Sequence, residues 1–183
     1  MDAPLPVSRL RGLYALTPEG LATDALLIRV EAAIAGGAAL IQYRRKAGDR
    51  PRREAEARAL LDLCRRREVP LVINDDAALA RRIGADGAHL GREDAGIEEA
   101  RHLLGSRAIV GASCYNELAR AVLAERAGAT YVAFGSMYAS PTKPAAVRAT
   151  LDLLREARAR LRLPSAALGG ITAENAPEVI AAG

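Results

Sequence analysis

Residues 71–76 read Leu-Val-Ile-Asn-Asp-Asp, and they are the main indication of the fold class. Its apolar part lacks the polar alternation of a half-exposed strand, which favours a strand buried on both faces, as in a parallel sheet. The acids fall where this strand ends and a predicted helix, Ala77–Ile83, begins. Because α/β folds carry their chemistry at the carboxyl ends of parallel strands, the stretch predicts a functional edge at this point.

The two acids allow two interpretations. Either Asp75 or Asp76 could accept a backbone N–H bond as the N-cap of the following helix. The acids could instead contribute to a metal site. Two carboxylates compete here for one cap, and a second acidic strand end follows at Glu93-Asp94. This repetition favours the metal site.

Composition limits the classes of protein to consider. A chain of 183 residues, with 50% hydrophobic and 26% charged residues, fits one folded domain with a substantial core. The net charge of +4 is spread along predicted helices, and with no Trp and one Phe the chain lacks the basic, aromatic surface of a nucleic-acid binder. Cys64 and Cys114 are too few for a disulfide framework, and no apolar run is long enough to span a membrane. We therefore expect a cytoplasmic protein that binds neither nucleic acid nor membrane.

Predicted strands and helices alternate along the chain with short connections. The predicted strands cover residues 12–17, 40–44, 71–75, 87–91, 108–113, 131–136 and 164–170. The predicted helices cover residues 23–35, 51–67, 77–83, 97–104, 117–127, 148–161 and 173–182. Seven strands that alternate with helices imply parallel βα units.

A repeat that begins with glycine favours a barrel over an open sheet. Residues Gly84–Gly91 resemble Gly128–Gly135, and Gly37–Ile41 is a third copy. In each, a glycine ends a helix in the left-handed conformation and a buried strand follows. Repeated βα units predict a (β/α)8 TIM barrel as one domain over residues 1–183. A fourth glycine stands at Gly183 with no strand after it, so the eighth βα unit is missing and we expect further residues beyond this point.

A polar cluster ends the second predicted strand. Period-two alternation places Leu40, Gln42 and Arg44 on one face, with Lys46 just past the strand. A planar guanidinium and an ammonium group suit phosphate oxygens. The alternative is a solvated charge run, an interpretation that fits Arg45, Arg50, Arg52 and Arg53. Gln42 and Arg44 follow the strand periodicity, so we interpret them as functional.

Asp75 and Asp94 end neighbouring strands, so their carboxylates can approach one ion. Two carboxylates, with substrate phosphates and waters, are a common way to hold Mg²⁺. His89 lies within a strand and fits a structural histidine, whereas His102 fits a surface position. Cys114 lies near the same edge, but no partner histidine is evident, so the sequence disfavours a cysteine nucleophile.

Two later loops predict a phosphate site. The loop after the sixth strand carries Ser140, Thr142 and Lys143, which supply two hydroxyls and a cation. The seventh strand ends in Gly169-Gly170 and leads into a helix. Glycines allow backbone N–H groups to approach an anion, and barrels often bind phosphate after strands seven and eight.

The sequence motifs together resemble one family. They are Gln-Tyr-Arg-Arg-Lys (42–46), Asn-Asp-Asp (74–76), His-Leu-Gly-Arg-Glu-Asp (89–94), Gly-Ala-Ser (111–113), Ser-Pro-Thr-Lys (140–143) and Gly-Gly-Ile (169–171). In order and spacing, along essentially the whole chain, they resemble thiamine phosphate synthase. The resemblance implies a TIM-barrel transferase that joins a pyrimidine-methyl diphosphate to a thiazole phosphate and releases pyrophosphate.

The resemblance also implies residue roles toward these small phosphorylated substrates. The residues expected to hold the pyrimidine diphosphate are Gln42, Tyr43, Arg44, Arg45, Lys46, Asn74 and Ser113. The residues expected to hold the thiazole phosphate are Ser140, Pro141, Thr142 and Gly170, while Lys143 reaches the diphosphate. Asp75 and Asp94 are expected to bind Mg²⁺. Arg44, Lys46 and Lys143 are the expected catalytic residues, because each can neutralise charge on the leaving group.

Three departures from the family pattern accompany the match. Arg92 stands where Gln is common, Ser140 stands where Thr is usual, and the eighth strand with its Val/Ile-Ser phosphate contact is missing. Two alternatives share the same barrel: a thiazole tautomerase and a non-catalytic phosphate-binding relative. A tautomerase would need neither both metal acids nor the Gln-x-Arg-x-Lys cluster, so the presence of these residues argues against it.

Overall fold

The computed structural model describes residues 10–91, 96–139 and 147–183. The strands are β1 (Leu13–Leu16), β2 (Ala38–Tyr43), β3 (Leu71–Asn74), β4 (Gly87–Leu90), β5 (Ile109–Tyr115), β6 (Tyr131–Gly135) and β7 (Ser165–Leu168). The helices are α1 (Thr23–Ala35), α2 (Arg50–Arg66), α3 (Ala77–Ile83), α4 (Ile97–Leu104), α5 (Leu118–Arg126), α6 (Leu151–Arg160) and α7 (Ala176–Ala182). This order confirms the predicted succession of βα units. None of the described helices is both long enough and apolar enough to cross a membrane.

The strands form one sheet in chain order, β1 to β7, and each strand is parallel to the next. The sheet curls into a nearly closed barrel. This is shown by Tyr14 of β1, which reaches Tyr131 of β6 with 2.7 Å between their hydroxyl oxygens. The predicted barrel class is therefore confirmed, with seven βα units among the described residues.

Alternate strand residues face two different layers. The residues that pack together inside the barrel are Leu40, Val72, Ile109 and Tyr131. Ile41 and Ile73, their neighbours in sequence, join the larger cluster beneath helices α1 to α4. Gln42 follows Leu40 by two residues and bonds to Tyr14 within the barrel, so its predicted position on the same face as Leu40 is confirmed.

The glycine turns of the repeat have the backbone geometry that the sequence predicts. Gly37, Gly84 and Gly128 have φ angles of 91°, 74° and 90°. Each follows a helix; Gly37 lies directly before β2, and Gly84 and Gly128 lie three residues before β4 and β6. Glycine adopts this left-handed region without the steric cost that a Cβ atom brings, which explains why the residue recurs there.

Candidate functional site

Because all described strands are parallel, their carboxyl ends meet at one edge of the barrel. Asn74 pairs in register with His89, and His89 pairs with Gly111, two residues before Ser113. Gln42 lies near the end of β2 at the same edge. The strand order thus brings together predicted site residues that are far apart in sequence.

The two acids after β3 have different roles. Asp76 is the N-cap of α3, since its Oδ1 accepts the N–H of Leu79 at 2.7 Å. Asp75 is exposed and has a φ of 59°, a left-handed conformation that is uncommon for a residue with a side chain. Its backbone N–H donates to the carbonyl of His89 at 2.8 Å, which fixes the turn at the strand end. The cap interpretation therefore applies to Asp76, and Asp75 is left as the candidate metal ligand.

Arg44 is anchored at the rim beside β1. Its backbone N–H donates to the hydroxyl of Thr17 at 2.8 Å, and that hydroxyl lies 3.2 Å from the Arg44 carbonyl. The guanidinium donates to Glu19 at 2.6 Å in a partly exposed ion pair. Lys46 is exposed just beyond. Two cationic residues therefore follow the buried Gln42 where β2 ends.

Arg45 and Tyr43 lie on the other side of β2, where both contact Glu56 of α2. Arg45 donates to the two carboxylate oxygens at 2.6 and 2.7 Å, and the Tyr43 hydroxyl donates at 2.8 Å. The Glu56 side chain is only 1% exposed. Burial, together with this hydrogen bond to Glu56, raises the pKa of Tyr43 above its ordinary value. The solvated-charge interpretation is thus wrong for Arg45, because its charge is matched by a buried carboxylate. It also fails for Arg53, which pairs with Asp76 at 3.3 Å.

We expect Glu56→Ala to lower the free energy of unfolding by about 3 kcal/mol, the scale of breaking a buried ion pair on one side. The substitution leaves the Arg45 guanidinium without its counter-charge and the Tyr43 hydroxyl without its acceptor. Urea denaturation gives the change directly. Glu31→Ala is the matched control, since it removes an exposed pair with Arg67 and should cost much less. Equal losses in the two variants would show that the buried Glu56 contacts stabilise the fold no more than an exposed ion pair does.

A chain of hydrogen bonds crosses the barrel interior and ends at two predicted site residues. Gln42 Nε2 donates to the hydroxyl of Tyr14. The Tyr14 hydroxyl contacts that of Tyr131 at 2.7 Å, and Tyr131 contacts His89 Nδ1 at 2.8 Å. His89 Nε2 then contacts Ser113 Oγ at 2.9 Å. The prediction of a satisfied, buried His89 is confirmed, but its connection to Ser113 and Gln42 was not predicted.

The rings in this chain also pack against one another. Tyr14 and Tyr131 meet edge to face with centroids 5.6 Å apart, and Tyr131 stacks on His89 at 5.5 Å. Burial raises the pKa of both tyrosines above the ordinary value, so both phenols are protonated at neutral pH. Sequence reasoning missed Tyr14 and Tyr131; the available signal was that a chain with five tyrosines places two of them early in strands.

Gly111 makes the space that the Tyr131 ring occupies. A Cβ atom at this position would lie 2.2 Å from Tyr131 Cζ and 2.4 Å from its hydroxyl oxygen. We expect Gly111→Ala to displace the ring and to lower the free energy of unfolding by roughly 1 to 3 kcal/mol, the usual cost of overpacking a core. Gly96→Ala is the control, since among the described residues no atom beyond its chain neighbours lies within 4 Å of its Cβ position. Thermal unfolding of both variants tests this, and equal stability would contradict it.

The cysteines are buried thiols. Burial raises the pKa of Cys64 and of Cys114 to about 12, so both are protonated at neutral pH. The Cys114 thiol donates to the carbonyl of Ala112. This environment agrees with the prediction that Cys114 is not a nucleophile.

The loops after β6 and β7 run side by side. Met137 N–H donates to the carbonyl of Leu168, and Tyr138 N–H donates to that of Gly169, both at 2.9 Å. A Cβ at Gly170, where φ is 67°, would lie 2.7 Å from the carbonyl oxygen of Ala139. Gly170 is therefore next to the residue that precedes Ser140. The remaining predicted site residues, Asp94, Ser140, Pro141, Thr142 and Lys143, lie outside the described residues.

Comparisons with known proteins extend over nearly the whole chain. Residues 13–183 match the family model described as thiamine monophosphate synthase. The thiamine-phosphate synthase of Methylococcus capsulatus is 54% identical over 173 residues, which cover 94% of this chain and 77% of that protein. The thiamine-phosphate synthase of Thiobacillus denitrificans is 58% identical over 172 residues, which cover 94% of this chain and 82% of that protein. The solved structure of the thiamine phosphate pyrophosphorylase from Pyrococcus furiosus aligns with a TM-score of 0.83 and 32% identity, covering 97% of this chain and 83% of that one.

Proposed function

The chain belongs to the thiamine monophosphate synthase family, and from this we propose that it joins 4-amino-2-methyl-5-(diphosphooxymethyl)pyrimidine to thiazole phosphate and releases pyrophosphate. The observation that carries the proposal is sequence identity above 50% to thiamine-phosphate synthases over 94% of the chain. The position of Gln42, Asp75 and Ser113 at one edge of the barrel supports it.

The pyrimidine diphosphate is assigned to the β2–β5 side of this edge. Gln42 and Ser113 end the buried hydrogen-bond chain and supply polar groups for the ring, with Asn74 between them in strand order. Arg44 and Lys46 lie at the rim, where cations can meet the diphosphate oxygens. Arg45 and Tyr43 support the site indirectly, because their bonds to Glu56 hold the end of β2 against α2.

Asp75 and Asp94 are assigned as the residues that would hold Mg²⁺. Asp75 fits this role, since the residue is exposed at the strand end and its neighbour Asp76 serves as the helix cap. Carboxylate oxygens suit this hard cation, which usually also binds substrate phosphates. When bound, Mg²⁺ would neutralise charge on the diphosphate.

In the reaction, the bond between the methylene carbon and the diphosphate oxygen breaks, and its electron pair leaves with pyrophosphate. The amino group of the pyrimidine donates electron density to the resulting cation, and the thiazole nitrogen then forms the new bond to carbon. This chemistry needs no protein nucleophile, which agrees with the buried, protonated Cys114. Arg44, Lys46 and Lys143 supply positive charge where the leaving group becomes more negative.

The thiazole phosphate is assigned to the loops after β6 and β7. Ser140, Pro141 and Thr142 follow directly on Ala139, against which Gly170 packs. Hydroxyls and glycine N–H groups at this position are suited to a phosphate. A cytoplasmic setting belongs to the same proposal, and the two free, buried thiols agree with it.

Steady-state release of pyrophosphate tests the proposal. Purified protein with Mg²⁺ is given both substrates, and then each substrate alone. We expect release only when both are present. A thiazole tautomerase would isomerise the thiazole phosphate without forming pyrophosphate, and a phosphate-binding relative would do neither. Release from the pyrimidine diphosphate alone, at the same rate, would contradict a coupling reaction.

A further inference from the structure

The orientation of the Gln42 amide sets the direction of the interior hydrogen bonds. Gln42 presents Nε2 to the hydroxyl of Tyr14, and an amide nitrogen is only a donor. Tyr14 therefore accepts this bond and has its own proton left for its other partner, Tyr131. Tyr131 in turn accepts from Tyr14 and must place its proton on His89 Nδ1.

The direction continues to Ser113. Because His89 Nδ1 accepts a proton, the neutral imidazole carries its own proton on Nε2. That nitrogen donates to Ser113 Oγ, so the serine accepts from within the protein and its O–H proton is directed elsewhere. The phenols are protonated at neutral pH, so each link has the single proton that this order requires.

Turning the Gln42 amide around would reverse the donor and acceptor roles along the whole series of hydrogen bonds, including that of Ser113. If the Gln42 amide presented its oxygen to Tyr14, every hydroxyl would turn around, His89 would carry its proton on Nδ1, and Ser113 would donate to Nε2. Gln42 would then offer an N–H₂ group to the site, and Ser113 a lone pair. Acceptor character at one end is thus linked to donor character at the other.

We propose that Tyr14, Tyr131 and His89 are positioning residues that couple the hydrogen-bonding character of Gln42 and Ser113 across the barrel. With Nε2 of Gln42 on Tyr14, the site presents an amide oxygen at one end and a serine O–H at the other. This pair is complementary to a ring that offers an exocyclic amino donor and a ring nitrogen acceptor. The assignment to an aminopyrimidine rests on the proposed function, but the proton order itself does not.

The tautomer of His89 reports the direction without any substrate. The chain has two histidines, so the ring nitrogens of ¹⁵N-histidine-labelled protein can be assigned by NMR with the variant His102→Gln, which changes an exposed position. We expect neutral His89 with its proton on Nε2. An imidazolium, or a proton on Nδ1, would overturn the proposal.

Two variants test whether the order is transmitted. Gln42→Leu removes the first donor and Tyr14→Phe removes the second link, and neither group is hydrogen-bonded to His89. Each should convert the single His89 tautomer into a mixture, since both directions then become available. Tyr43→Phe is the matched control, because it removes a buried hydroxyl that bonds to Glu56 and takes no part in the hydrogen bonds between Gln42 and Ser113. An unchanged tautomer in Gln42→Leu and Tyr14→Phe would overturn the coupling.

A double-mutant cycle provides the kinetic test. We expect the loss in kcat/KM of the double variant Gln42→Leu/Ser113→Ala to differ by about tenfold from the product of the two single losses, a typical value for residues in one network. In the Tyr131→Phe background the same losses should multiply independently. A double-variant loss equal to the product of the single losses in the wild-type background would contradict the coupling. If the tautomer results are as expected and no pyrophosphate forms, the proposed function fails while the network stands.

Discussion

We expect Asp75→Asn to lower kcat/KM for thiamine phosphate formation by about 10²-fold or more at limiting Mg²⁺, the scale of losing one charge-stabilising group. The physical reason is that the substitution removes a negatively charged ligand for Mg²⁺. Asp75 is exposed at the end of β3, and the cap of α3 is Asp76. Asp94→Asn is expected to have the same effect, from the sequence. Steady-state rates as a function of Mg²⁺ concentration measure both, and the apparent affinity for Mg²⁺ should fall with the rate.

Asp76→Ala is the control for this prediction. It removes the carboxylate that accepts the N–H of Leu79, and should lower the free energy of unfolding by about 1 kcal/mol, as expected for loss of an N-cap. Its Mg²⁺ dependence should stay that of the wild type. Activity losses of similar size in Asp75→Asn and Asp76→Ala would show that the two acids are not divided as we describe.

The second large effect is expected at the two lysines. Lys46→Ala and Lys143→Ala should each lower kcat by roughly 10²-fold while changing the KM for thiazole phosphate less, because leaving-group charge grows in the transition state. Thr142→Val should do the reverse and chiefly raise that KM. Arg52→Ala, which removes an exposed cation of α2, should have little effect on either constant.

Steady-state kinetics with the thiazole phosphate varied at saturating pyrimidine diphosphate separates the two constants. Equal changes in kcat and KM in all three site variants would mean that the site is divided wrongly between the substrates. A loss in Arg52→Ala as large as in Lys46→Ala would instead indicate a non-specific effect of positive charge.

Much of the fold could be predicted because local chemistry determines it. The bounds of α1, α3 and α4 agree with the prediction, since glycines end or follow these helices. Two later helices begin after their predicted starts. Thr150 caps α6, so it begins at Leu151, and the side chain of Asn175 holds a turn by bonding Thr172 and Gly170, so α7 begins at Ala176.

The site was less predictable, because its contacts depend on the curvature of the sheet. Tyr14 and Tyr131 are 117 residues apart and meet only because the barrel curls β1 toward β6. The charge run that contains Arg45 predicts a solvated side chain, whereas Glu56 supplies a buried partner from the next helix. Sequence also cannot decide which of two adjacent acids caps a helix; in the structure the Leu79 N–H bonds to Asp76, which identifies Asp76 as the cap.

The stoichiometry of the complete reaction tests whether this protein couples the two substrates. Phosphorus NMR of the protein with Mg²⁺ and both substrates follows thiamine phosphate and pyrophosphate in one sample. We predict that the two products appear together in a one-to-one ratio while both substrates are consumed, and that Asp75→Asn slows both to the same extent. Pyrophosphate without thiamine phosphate, or consumption of neither substrate, would contradict the assignment of this chain as the coupling enzyme.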